Sequence, residues 1–152
     1  MKYFNIAIEK FAALALGKKI AIIAAAVILF FAVIIFINPS KKMAEIRNSS
    51  RRTDVVAIIN ATYQYNKDNN GKLLEIITET PKIICNSSGA ACDGFVDLSE
   101  VVAGKKYIKK IPTDPKEKTP NSSGYQIFKT ANGRISVIAP NAERGAIINS
   151  SK

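Results

Sequence analysis

Ile20-Ala-Ile-Ile-Ala-Ala-Ala-Val-Ile-Leu-Phe-Phe-Ala-Val-Ile-Ile-Phe-Ile37 is eighteen consecutive residues without a charged or polar side chain. As a helix it is about 27 Å long, close to the thickness of a bilayer's hydrocarbon core. Inside a soluble domain such a helix needs apolar partners on every side, and the mostly polar remainder of the chain cannot supply them. The expectation is a transmembrane helix over 20–37. A cleaved signal peptide has an apolar core of about 7–15 residues and then a small-x-small site. This run is longer and ends in Phe36-Ile37-Asn38-Pro39-Ser40-Lys41-Lys42, without Ala-x-Ala. An uncleaved anchor fits better.

Upstream lie Lys2, Lys10, Lys18 and Lys19; downstream lie Lys41, Lys42, Arg47, Arg51 and Arg52. The positive-inside rule is nearly balanced by these counts. Cys85 and Cys92, bracketing Asn-Ser-Ser-Gly-Ala-Ala, break the tie. They are spaced to close a small disulfide, and disulfides persist outside the cytoplasm. The expected topology is single-pass in the cytoplasmic membrane, N-terminus inside and C-terminal head outside. Residues 1–19, with Phe4, Ile8, Phe11 and Leu14 on one face, read as a cytoplasmic amphipathic segment or a leader.

Beyond the span, Pro39 breaks the helical hydrogen-bond pattern, so a kink is expected there. The helical pattern then resumes over 38–70, with Met43, Ile46, Val55, Ile59 and Tyr63 on one stripe and Ile58, Thr62 and Tyr65 beside it. Arg47-Asn-Ser-Ser-Arg-Arg-Thr-Asp54 is expected to be solvated, with Arg51 pairing Asp54 along one face. Asn70 or Gly71 offers a left-handed cap. Residues 71–145 change period and form a small β-rich head. Its clearest signal is Tyr125–Thr130 and Arg134–Ala139 separated by Ala131-Asn132-Gly133, a hairpin. Residues 96–104 suit a short helix, and 146–152 a loose tail. The fold class is α+β: a long N-terminal membrane-spanning helix kinked at Pro39, its C-terminal half packed on a small antiparallel sheet.

The chain has no His and two Cys, which removes His-dependent catalytic triads and His-containing or four-thiolate zinc sites. Asp54, Asp68, Asp97 and Asp114 are scattered, with no telling carboxylate pair, so no enzyme is expected. The net charge is +10, spread as +3 up to Ile37 and +7 beyond it. Basic chains favour polyanions. The best patch is Lys105-Lys106-Tyr107-Ile108-Lys109-Lys110, with Tyr107 as a stacking surface for extracellular nucleic acid or another anionic polymer. The competing reading is that lysines guard an exposed strand edge.

The run Asn38-Pro39, then Lys42-Met-Ala-Glu-Ile-Arg-Asn-Ser-Ser-Arg-Arg-Thr-Asp54, then Ile58-x-x-Ala61-x-x-x-Tyr65-x-x-Asp68-Asn-x-Gly71, resembles the type IV pilins and type II secretion pseudopilins. Tyr107-Ile-x-x-Ile-Pro-x-Asp-Pro115 and Gly124-Tyr-x-Ile, with Asn132-Gly-Arg-Ile-x-Val-x-Ala-Pro140, look like the C-terminal sheet of that group. The resemblance covers about residues 20–145. It implies a pilin-like fold and a structural subunit that packs against other pilin-like subunits through its N-terminal helix, in a membrane or a surface filament. Calcium binding in related pseudopilins makes Asp97 and Asp114 the calcium candidates here; no other cofactor is implied. The family's leader, Gly and Phe-Thr-Leu-Ile-Glu are missing. Pro39 lies 22 residues beyond Gly17, but Lys18 and Lys19 follow that glycine and Ile22 stands where the family has Glu. Two forms fit: an unprocessed membrane-resident relative, or a minor subunit following different rules.

Overall fold

The computed structural model describes residue 12 and residues 15–71, 75–87 and 89–152. The expected amphipathic segment over 1–19 lies mostly outside the described residues. Two compact units divide between Lys42 and Met43.

The first unit carries helix α1, Leu16–Ile37. Among the described residues one helix is long and apolar enough to cross a membrane, with a mean hydropathy of 3.4 in its most apolar window and none of that window buried. Its large side chains, from Ile20 through Phe30 to Phe36, are exposed. The expected break falls at Asn38, which is left-handed at φ 44° and donates its N–H to Ile34 O at 3.2 Å. Asn tolerates that conformation better than most residues, and the α region is disfavoured before proline. Pro39 then opens helix α2, Pro39–Asp68, at the first helical position, where its missing N–H costs nothing. Asn38 also caps α2: its Oδ1 accepts from Lys41 N–H at 3.2 Å and from Ser40 Oγ at 3.0 Å.

The second unit is built on α2 and a four-stranded antiparallel sheet in the order β1-β2-β3-β4. Its strands are β1 (Lys82–Cys85), β2 (Ser122–Lys129), β3 (Ile135–Ile138) and β4 (Asn149–Ser151). Helix α3, Ser99–Val102, falls where a short helix is expected. The β2–β3 hairpin turns through Asn132-Gly133, with Gly133 at φ 78° and its N–H bonded to Thr130 O at 2.8 Å. Ile127 faces Val137 across the register, and both are buried. Tyr125 and Ile135 lie in the same core with Val55, Ile58 and Ile59 of α2.

Two expectations are corrected. The buried stripe of α2 runs Ala44, Asn48, Arg51, Val55, Ile58, Thr62, Tyr65, and Ile59 and Ala61 join it. Met43, Ile46 and Tyr63, expected on that stripe, are exposed. The spacing of 3 or 4 is helical, but polar residues occupy positions that hydropathy assigns to solvent. The loose tail is also corrected. Ile148 is buried and β4 pairs antiparallel with β3, Val137 opposite Ser150. Backbone hydrogen bonding satisfies this strand without help from apolar side chains.

Candidate functional site

Arg51 is completely buried and joins α2 to two distant loops. Its Nε and Nη2 donate to Asp114 Oδ2 and Oδ1 at 2.6 and 3.0 Å, a bidentate pair. Its Nη1 donates to Asn48 Oδ1 at 2.9 Å and to Glu143 Oε2 at 3.0 Å. One turn earlier, Arg47 forks onto the same Glu143 carboxylate at 2.6 and 2.8 Å. Lys116 Nζ completes the cluster at 2.8 Å from Glu143 Oε1. Asn48 and the Glu143 backbone exchange hydrogen bonds, Nδ2 to O at 2.9 Å and N–H to Oδ1 at 3.0 Å. Of the stretch expected to be solvated, Ser49, Ser50, Arg52 and Thr53 are exposed, whereas Arg47, Asn48 and Arg51 are the main polar attachment of helix to head. The expected Arg51–Asp54 pair is replaced as well: Asp54 accepts from the Tyr125 hydroxyl at 2.7 Å. Gly124 permits the close approach of β2 to the Asp114 turn, since a Cβ there would lie 2.8 Å from Asp114 Cβ.

Charge and burial set the titration of these groups. The Arg47, Lys116 and Arg51 donors hold the Glu143 carboxyl well below the carboxylate range, and the Asp114 partner raises Arg51. Burial first, then the Asp54 carboxylate, pushes the Tyr125 hydroxyl up. A depressed carboxyl stabilises the fold above its ordinary value, 4.5 for Glu143, and that contribution is lost as pH falls below it. A raised tyrosine stabilises below its ordinary value, 10.0, and the contribution is lost as pH rises above it. The head is expected to lose stability at both ends. Denaturation midpoints measured across pH should fall below about pH 4.5, and Glu143→Gln should flatten that acid limb. An unchanged acid limb in the variant would assign it to other groups.

At the far end of α2, Tyr65 donates its hydroxyl to Glu100 and packs edge-on to Tyr107, ring centroids 5.6 Å apart. Asp68 accepts from Lys106 Nζ at 2.6 Å and from the Tyr107 hydroxyl at 2.8 Å. Those two donors, Lys106 before Tyr107, lower the Asp68 carboxyl. The lysine-rich run is thereby split. Lys106, itself exposed, and Tyr107 latch onto α2, whereas the exposed Lys105, Lys109 and Lys110 make no ion pair among the described residues. With its ring edge-on to Tyr65 and its hydroxyl on Asp68, Tyr107 holds the lysine-rich run against α2.

Cys85 and Cys92 form a disulfide with Cα atoms 5.5 Å apart. The Asn86 amide nitrogen holds Ser122 O at 2.9 Å, and the Ser87 hydroxyl holds Asn121 Oδ1 at 2.9 Å. The loop is thus clasped to the entry of β2. Closing so short a loop restricts the unfolded chain, so replacing both cysteines by Ser is expected to lower head stability by about 2–2.5 kcal/mol. Denaturant titration with and without reductant measures it.

Asp97 and Asp114 are not brought together as a calcium site. Asp114 is engaged by the Arg51 guanidinium, and Asp97 Oδ1 accepts from Ser99 N–H at 2.8 Å. Among the described residues no three His, Cys, Asp or Glu side chains cluster to hold a metal ion. Sequence reasoning missed Glu143 and the burial of Arg51. A usable signal was present: Arg51 lies seven residues after Ala44 and four before Val55, in register with the buried stripe. No family model matches the chain, and neither a curated protein nor a solved structure matches it.

Proposed function

We propose that this chain is a non-enzymatic, pilin-like structural subunit of a type IV pilus or type II secretion apparatus. In this reading one transmembrane helix anchors it in the cytoplasmic membrane, N-terminus inside and head outside. The observation that carries it is the stretch of α1 over 20–36, apolar on every face and exposed throughout. Lipid accepts such a surface, and copies packed side by side cover it equally well. Met43, Ile46 and Val56 add exposed apolar side chains on α2, at 50%, 50% and 48% exposure. The Cys85–Cys92 disulfide favours an oxidising compartment for the head. Asn38-Pro39 and the other residues of the resemblance supply the pilin-like component. Ile22, where the resemblance has Glu, favours the unprocessed, membrane-resident form over a filament subunit.

Fractionation tests the reading. Full-length chain should sediment with membranes, and recovery in sheared surface material would assign it to a filament. Chain in the soluble fraction alone would sink both forms. A second reading, capture of an anionic polymer, has exposed Lys105, Lys109 and Lys110 in its favour. Affinity arising there falls with salt.

A further inference from the structure

A cleft of about 300 Å³ opens beside the Cys85–Cys92 loop, with Asn86, Ser87, Ser99, Val102, Lys110 and Ile111 among its walls. Small-molecule sites run from about 300 to 1,000 Å³, so this one suits a single six-membered ring. Its polar groups are complementary to one kind of ligand. Asn86 commits its amide N–H groups to Ser122 O at 2.9 Å and Thr113 Oγ1 at 3.2 Å, which leaves its side-chain carbonyl as an acceptor. Among the described residues the Ser99 hydroxyl has no hydrogen-bond partner and the Lys110 ammonium no ion pair. Ile111, buried, and Val102, half-buried, give the apolar wall.

We infer that this cleft binds the carboxylate-bearing ring of a hexuronic acid. Lys110 pairs with the carboxylate, Asn86 and Ser99 with ring hydroxyls, and Val102 and Ile111 with the apolar face of the ring. An uncharged sugar leaves Lys110 unused, and a simple carboxylate leaves the amide, hydroxyl and apolar wall unused. The disulfide and the Ser87–Asn121 bond fix the Asn86 wall before any ligand arrives, which reduces the ordering cost of binding. The inference goes beyond the subunit reading and holds whether or not the chain assembles.

The test uses the full-length chain in a polyoxyethylene detergent, which has no sugar headgroup, titrated with galacturonate, galacturonamide and acetate by ligand-observed NMR. Galacturonate should saturate in the millimolar range, with galacturonamide weaker by about tenfold or more, the worth of one charge-assisted contact. Acetate should not displace it. Lys110→Gln should weaken galacturonate about tenfold and leave galacturonamide unchanged, whereas Lys105→Gln should change neither. Both are exposed surface lysines, so folding is spared. The acid can be free or end a chain, and trigalacturonate separates the sources: tighter binding assigns the chain end, weaker binding the free sugar. Equal affinity for acid and amide, no effect of Lys110→Gln, or no saturation by about 50 mM overturns the inference.

Discussion

Arg51→Ala is expected to destabilise the head by about 3–5 kcal/mol, a large part of the stability of a small domain. The effect comes less from the lost attraction than from what stays behind. Asp114 has no exposed side-chain surface, and its carboxylate would keep only the Lys116 backbone N–H. Asn48 and Glu143 would each lose a donor as well. Removing the stranded carboxylate should therefore restore part of the loss, so the Arg51→Ala, Asp114→Ala double variant is expected to be more stable than Arg51→Ala alone. Arg51→Lys should rescue little, because one ammonium cannot reproduce a fork to Asp114 together with bonds to Asn48 and Glu143. Denaturant titration of these three variants and of Asp114→Ala alone decides it. Additive losses in the double variant would mean that Asp114 is not stranded.

The second large effect lies in the proposed membrane span. Thirteen of its eighteen residues are Ile, Leu, Phe or Val, each worth roughly −0.3 to −0.6 kcal/mol for insertion near the helix centre, so the segment inserts with roughly −4 to −8 kcal/mol. A lysine at the centre costs about 2.5–3.5 kcal/mol. Ile28→Lys with Phe31→Lys offsets nearly the whole insertion energy. The double variant is expected to leave the membrane on alkaline carbonate extraction, while Ile28→Ala with Phe31→Ala stays. Retention of the lysine variant would show that the span is not what holds the chain there.

How much was legible in the sequence depended on how local each signal was. The apolar span needs no partner to be recognised, because eighteen uncharged residues exceed what this small head can cover. The β2–β3 hairpin was equally legible, since Asn132-Gly133 specifies its turn within a few residues. The Cys85–Cys92 pair was read from spacing alone. What escaped was non-local or polar. Arg51 looks like solvent-facing charge until Asp114, 63 residues later, and Glu143, 92 residues later, are placed beside it. Likewise Lys106 and Tyr107 resemble a binding patch until Asp68, 38 and 39 residues earlier, is seen to engage both. β4 escaped because Asn149-Ser-Ser has no strand-forming side chains and takes its order from the edge of β3.

In the proposed function the apolar helix both anchors the chain and packs against neighbouring subunits. Single cysteines scanned through Ile20–Ile37, with Val27→Cys as the first position, test it most directly when native membranes are oxidised. Higher-mass disulfide-linked products are expected at positions recurring every three to four residues, the signature of one helix face against another. Monomer at every position, with the chain still in the membrane, would contradict it and leave a solitary anchor.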